Sequence, residues 1–82
     1  MDKIDPASKI AAEAVAELEK ATRKHKPLNS AHEGYAVILE ELDELWEHVR
    51  AQTEDRDVQE MRKECIQIAA MAMRFIQDVC DK

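Results

Sequence analysis

The chain has 82 residues and a formal net charge of -6, from 18 acidic and 12 basic residues. This length allows one domain at most, and the acidic balance argues against a basic surface for nucleic acid. One glycine, two prolines and three aromatic residues leave a composition rich in Ala, Leu, Glu, Lys and Gln, which favours helix strongly.

Targeting and redox features point to a cytoplasmic protein. Met1–Lys3 leads into no apolar signal segment, and no stretch approaches the roughly 20 apolar residues of a membrane span. Cys65 and Cys80 would lie about 22 Å apart on one predicted helix, which is too far for a disulfide within the chain. We therefore predict buried, reduced thiols.

The first predicted helix covers residues 6–25. Asp5 is a good N-cap, and Pro6 is favoured at the first helical position. Apolar residues recur along it at helical spacing: Ile10, Ala14, Leu18 and Ala21. A run of basic residues suits the negative pole of the helix dipole, and Pro27 ends the helix.

The second predicted helix covers residues 30–51. Ser30 and Glu33 fit a capping box, in which each side chain accepts a hydrogen bond from the backbone N–H of the other residue. Its apolar residues are Tyr35, Ile38, Leu42, Leu45, Trp46 and Val49. The polar segment 52–56 is predicted to be a loop.

The third predicted helix covers residues 57–80, with Asp57 as its N-cap. Its middle, residues 65–73, is apolar on nearly every side, and such a helix is buried on every side. Two other helices of so short a chain cannot cover it completely. We therefore predict an all-α, three-helix protomer that forms an antiparallel helical bundle across an oligomer interface.

Two groups of polar residues on the second and third helices carry the functional prediction. Each group follows helical spacing, so its side chains share one face. The groups are Glu40, Glu41 and Glu44 on the second helix, and Glu60, Glu64 and Gln67 on the third.

A short loop makes the two helices antiparallel, and this sets which residues are level. A fold-back at residue 54 places Glu44 opposite Glu64 and Glu41 opposite Gln67. Carboxylates at one height repel each other and raise each other's pKa, and a hard divalent cation such as Mg²⁺ removes that cost. The alternative is a solvated acidic face without a cation, because charged residues mostly stay exposed.

The motif Glu40-Glu41-x-x-Glu44, followed after 19 residues by Glu64-x-x-Gln67, resembles a known family. It is similar to the E-E-x-x-E and E-x-x-D motifs of the MazG-like, all-α nucleoside triphosphate pyrophosphohydrolases. The likeness covers the second and third helices, about half the chain, and looks like the short single-domain members found in phages and mobile elements.

The resemblance implies that residues 1–82 form one MazG-like domain, assembled as a homodimer or homotetramer. It implies cleavage of a (d)NTP between the α and β phosphates, giving a (d)NMP and pyrophosphate with Mg²⁺ (or Mn²⁺) as cofactor. The implied metal ligands are Glu40, Glu41, Glu44, Glu64 and Gln67, and the implied catalytic residues that position water are Glu41 and Glu44.

Gln67 departs from the family pattern, which has Asp at this position. Its amide oxygen can ligate weakly but supplies no negative charge. The alternative to an active hydrolase is therefore a catalytically weakened or inactive helical module that binds nucleotide or only oligomerises.

Three further residues are candidate substrate contacts. Lys63 and Arg74 are candidates for binding phosphate, and Trp46 for stacking on the base. The alternatives are solvated or salt-bridging roles for Lys63 and Arg74, and packing in the core or an interface for Trp46.

Overall fold

The computed structural model describes residues 5–82, so the prediction about a signal segment at Met1–Lys3 lies outside it. Three long helices are present: α1 (Pro6–Lys24), α2 (Ala31–Val49) and α3 (Val58–Phe75). A 3₁₀ turn, Thr53–Asp55, lies between α2 and α3, and a π-helical turn, Ile76–Cys80, extends α3. The all-α prediction is confirmed for the described residues, which contain no strand. The predicted helix bounds lie within two residues of the observed ones when the π-helical turn is counted with α3. No described helix is both long and apolar enough to cross a membrane.

Each long helix begins at the predicted N-cap: Asp5, Ser30 or Asp57. In each case the cap side chain accepts a hydrogen bond from the backbone N–H three residues later. At α2 the Glu33 carboxylate accepts from the backbone N–H of Asn29 at 2.8 Å. The reciprocal half of the predicted capping box therefore reaches back one residue further than expected.

α3 is the central helix, with α1 and α2 packed on two of its flanks. α1 runs parallel to α3, because Glu17 meets Gln67 and Lys26, just after α1, meets Arg74. This parallel order requires the chain to return along α2 before it enters α3.

α2 runs antiparallel to α3, and its first turn lies against the end of α3. A Cβ atom at Gly34 would lie 2.8 Å from Cε2 of Phe75, closer than packed atoms can come. Glycine is therefore needed for this approach. At the middle of the helices, Glu44 lies beside Glu64, as the predicted fold-back at residue 54 requires.

The connection between α1 and α2 is anchored to the end of α3. Arg74 is 7% exposed, and its guanidinium donates to the backbone oxygen of Lys26 at 2.7 Å. Its Nε lies 3.6 Å from Oδ2 of Asp78, and the same oxygen accepts from the backbone N–H of Leu28 at 3.0 Å. These bonds hold a proline-containing loop in one place.

The protomer is flat and has a small core. Its extents are 42 × 40 × 19 Å, and its radius of gyration is 14.3 Å, against about 12 Å for a compact chain of this length. Among the described residues, no large side chain is completely buried. The buried apolar residues are Ala14, Leu28, Ile66, Ala70 and Met71.

The middle of α3 is only partly covered in the protomer, as the sequence predicts for a helix with two neighbours in one chain. Ala70 and Met71 are buried, but Cys65 and Ala72 are exposed. Cys80 is exposed as well, so the prediction of buried thiols is wrong for the protomer, although neither cysteine is paired. The reason is that α1 and α2 cover two flanks of α3 and leave its third side open.

Candidate functional site

Three carboxylates from α2 and α3 converge at the middle of the helix pair. One oxygen each of Glu41, Glu44 and Glu64 lies within 4.8 Å of the other two. Glu64 is only 8% exposed, and its Oε2 is buried without a hydrogen-bond partner among residues 5–82. A buried, unpaired carboxylate oxygen costs stability unless a proton or a cation binds there.

The electrostatics of this acid cluster (Glu41, Glu44 and Glu64) agree with its geometry. Burial raises the pKa of Glu64, and the neighbouring Glu44 raises it further, while the charges of His48 and Lys63 oppose the shift. Burial also raises the pKa of Glu41, followed by the charges of Glu44 and Glu64. The cluster therefore favours the binding of positive charge.

Two residues of the predicted ligand set lie beside the acid cluster rather than in it. Glu40 is exposed, and its charge raises the pKa of Glu41. Gln67 donates from its amide to Oε2 of Glu17 at 3.0 Å, on the α1 side of α3. Glu17 was not a predicted site residue, because no motif or register in the sequence related α1 to α3.

A cavity of about 600 Å³ lies in the groove between α1 and α2, within the size range of small-molecule sites. Gln67, Met71 and Arg74 of α3 form its floor. The side formed by α1 and the following loop is mostly basic, with Lys20, Lys24, His25 and Lys26 and one acid, Glu17. The α2 side is acidic and includes Glu33, Glu40 and Glu41. Since Glu41 also belongs to the acid cluster, cluster and cavity adjoin.

The three predicted substrate contacts lie in different places. Arg74 lines the cavity, but its guanidinium already bonds the loop and Asp78. Lys63 is exposed on another side of α3, in a groove shared with Glu13. Trp46 is 57% exposed, and being two residues from Glu44 it lies on the opposite side of α2. Only Arg74 is therefore placed at the cavity.

A second group of candidate ligands adjoins the first, and it was not predicted as a group from the sequence. One ligand atom each of His48, Glu60 and Glu64 lies within 4.8 Å of the others. His48 and Glu60 are one turn further from the cavity than Glu44 and Glu64, in the same antiparallel register. Extending the predicted register by one turn would have found them.

Neither the family models, nor the curated proteins, nor the solved structures contain a significant match to this chain. The MazG-like resemblance therefore stays a prediction.

Proposed function

We propose that the protein is a Mg²⁺-dependent nucleoside triphosphate pyrophosphohydrolase that converts a (d)NTP to a (d)NMP and pyrophosphate. The observation that carries the proposal is the convergence of three carboxylates beside a cavity with a mostly basic side, one of them the buried Glu64 with its unpartnered Oε2. The motif resemblance supplies the reaction type.

The residues of the acid cluster fit a hard divalent cation. They offer only carboxylate oxygens, the ligands that Mg²⁺ and Mn²⁺ prefer. A bound Mg²⁺ would neutralise phosphate charge and polarise the bond to be cleaved. Glu64, which is only 8% exposed and lacks a hydrogen bond from the protein at Oε2, offers a buried oxygen to the cation.

Other residues would orient the attacking water and bind the substrate phosphates. Glu41 lies where the acid cluster meets the cavity, so its carboxylate orients the attacking water, with Glu44 beside it. Across the cavity, Lys20, Lys24 and Lys26 supply positive charge for phosphates.

The proposal is tested by incubating the protein with a panel of NTPs and dNTPs plus Mg²⁺ and measuring pyrophosphate. We expect release with at least one nucleotide, and a loss of roughly 10² to 10⁴-fold in Glu41→Gln, the usual contribution of a catalytic base. Glu47→Gln is the control, because Glu47 is exposed on the same helix and pairs with Arg50. No release with any nucleotide, from folded protein, would overturn the proposal.

We also propose that the working form is a homodimer or homotetramer in the cytoplasm. The exposed apolar side chains on α2 form one stripe at helical spacing: Tyr35, Leu39, Leu42 and Trp46. A stripe of this kind, on a flat protomer with a small core, favours burial against a second copy. The unpaired cysteines are typical of a reducing compartment.

The second candidate function is a MazG-like nucleotide-binding or oligomerisation module with weak or no catalysis. It is favoured by Gln67, whose neutral amide replaces the family carboxylate and is engaged by Glu17. If this is right, the wild type binds nucleotide with little turnover, and Gln67→Asp raises turnover.

Gln67→Asp also places a second carboxylate against Glu17, so the double change Glu17→Gln with Gln67→Asp is the matched variant. It keeps one acid and one amide at the contact. If the wild type hydrolyses nucleotide and Glu41→Gln abolishes this activity, the second candidate function is contradicted.

A further inference from the structure

We propose a second cation site, formed by His48, Glu60 and Glu64, that binds a borderline divalent transition metal of the Zn²⁺ type and staples α2 to α3. It lies next to the acid cluster and shares Glu64 with it, but it requires neither nucleotide nor hydrolysis. It therefore goes beyond the function proposed above.

The geometry supplies three ligands from two helices. A nitrogen of His48, an oxygen of Glu60 and an oxygen of Glu64 lie within 4.8 Å of one another. His48 and Glu60 are half-buried, whereas Glu64 is buried. A tetrahedral shell with bonds of about 2.1 Å has ligand atoms about 3.4 Å apart, so rotation of the two half-buried side chains closes it.

A second, independent feature is the carboxylate that the two groups share. Glu64 is more than nine-tenths buried, and its Oε2 accepts no hydrogen bond from any described residue. One carboxylate has two oxygens and can bridge two cations, as in two-metal sites. Glu64 is thus able to serve the acid cluster with one oxygen and His48 and Glu60 with the other.

The ligand types decide which metal belongs in which group. The acid cluster offers only oxygen, which suits Mg²⁺, whereas an imidazole nitrogen with two carboxylates suits Zn²⁺, Co²⁺ or Ni²⁺. The two sites therefore differ in selectivity although they share a ligand.

Position indicates that the second site is structural. None of His48, Glu60 and Glu64 lines the cavity, so a cation there is set back from a substrate in the groove. The three residues join the last turns of α2 to the first turns of α3. A small domain with a small core gains stability from such a metal link, because the metal binds the folded chain preferentially.

The test is a titration of the metal-free full-length protein with Co²⁺ and Zn²⁺ in the absence of nucleotide. We expect visible Co²⁺ absorption bands from a protein-bound ion and a rise in Tm with Zn²⁺. His48→Ala should weaken Zn²⁺ binding by roughly 100-fold, because loss of a ligand costs at least as much as loss of a residue that only supports a ligand. It should change the Mg²⁺-dependent rise in Tm little. His32→Ala is the control, because His32 is an exposed histidine at the other end of α2.

Glu60→Gln is a second variant that keeps the size of the side chain, and it should lose Zn²⁺ affinity in the same way. Wild-type affinity for Zn²⁺ in His48→Ala or in Glu60→Gln would overturn the proposal, as would the lack of Zn²⁺ or Co²⁺ binding at submillimolar metal in wild type. If the protein hydrolyses nucleotide but does not bind Zn²⁺, only the proposal of a second site is disproved. If it binds Zn²⁺ but does not hydrolyse nucleotide, only the proposed function is disproved.

Discussion

At the scale of single residues, Glu64 is the side chain on which the candidate chemistry depends. It is buried, it lacks a partner for Oε2 among residues 5–82, and it belongs to both groups of possible ligands. Its pKa is raised, first by burial and then by Glu44. A group with a raised pKa in the folded state binds more protons folded than unfolded. Its contribution to stability is therefore lost as pH rises through the folded pKa.

Metal-free wild type should lose stability as pH rises above 4.5, the ordinary value for Glu, because Glu64 and Glu41 ionise inside the fold. Glu64→Gln should lose less of its free energy of unfolding over the same pH range. The variant should therefore become more stable than wild type as pH rises, by up to roughly 1–3 kcal/mol, the cost of a buried unsatisfied group. Urea unfolding between pH 5 and pH 8 measures this difference.

Mg²⁺ supplies the second readout for Glu64. At pH 8 it should raise the Tm of wild type and leave Glu64→Gln nearly unchanged, since the variant has lost the shared ligand. Glu47→Gln should follow wild type in both experiments. If the free energy of unfolding varies with pH in the same way in wild type and in Glu64→Gln, the pKa of Glu64 is not raised in the folded protein.

At the scale of elements, the groove depends on how the α1–α2 connection is held against α3. Arg74 and Asp78 together bind the backbone at Lys26 and Leu28. The Arg74 side chain is buried and the Asp78 side chain is nearly so, at 8% and 13% exposure. Removing one partner of a buried pair leaves an uncompensated charge, which costs far more than breaking a surface pair.

Asp78→Ala should lower the free energy of unfolding by about 3 kcal/mol or more, because it strands the Arg74 charge and frees the backbone N–H of Leu28. The same truncation at Glu47, whose pair with Arg50 is exposed on both sides, should cost less than about 1 kcal/mol. Urea denaturation of the two variants is the measurement. Equal losses would mean that the loop anchor contributes no more than a surface contact.

At the scale of the whole molecule, the protomer is flat, with a shortest dimension of 19 Å against 42 and 40 Å. One side of α2 packs on α3 through Gly34, while the other presents the apolar stripe with Leu42 and Trp46. A chain this small stabilises itself poorly with so few buried residues. Burial of the stripe against a second copy would supply the missing core.

Leu42→Glu should shift the protein to monomers, because Leu42 is 48% exposed in the middle of the stripe and a charge there is costly to bury. Sedimentation velocity at micromolar concentration gives the state directly. Val15→Glu is the matched control, since Val15 is 41% exposed but lies on α1. A monomeric wild type, or an unchanged state in Leu42→Glu, would contradict assembly through the stripe.

Local chemistry in the sequence was sufficient for the helices and for half of the candidate site. Asp5, Ser30 and Asp57 act as N-caps through bonds to their own first turns, so their role depends on near neighbours alone. The pairing of Glu44 with Glu64 was predictable as well, because a short loop between antiparallel helices leaves little freedom in register.

Only the tertiary structure decided what depends on the relative placement of whole helices. The short loop between α1 and α2 sets the direction of α1, but no local pattern predicts which flank of α3 it covers or the register that brings Glu17 to Gln67. The open side of α3, which exposes Cys65, is likewise a matter of which flanks its neighbours cover. Hydrophobic burial is non-directional. An apolar helix surface therefore predicts that it will be covered, but it does not predict which helix covers it.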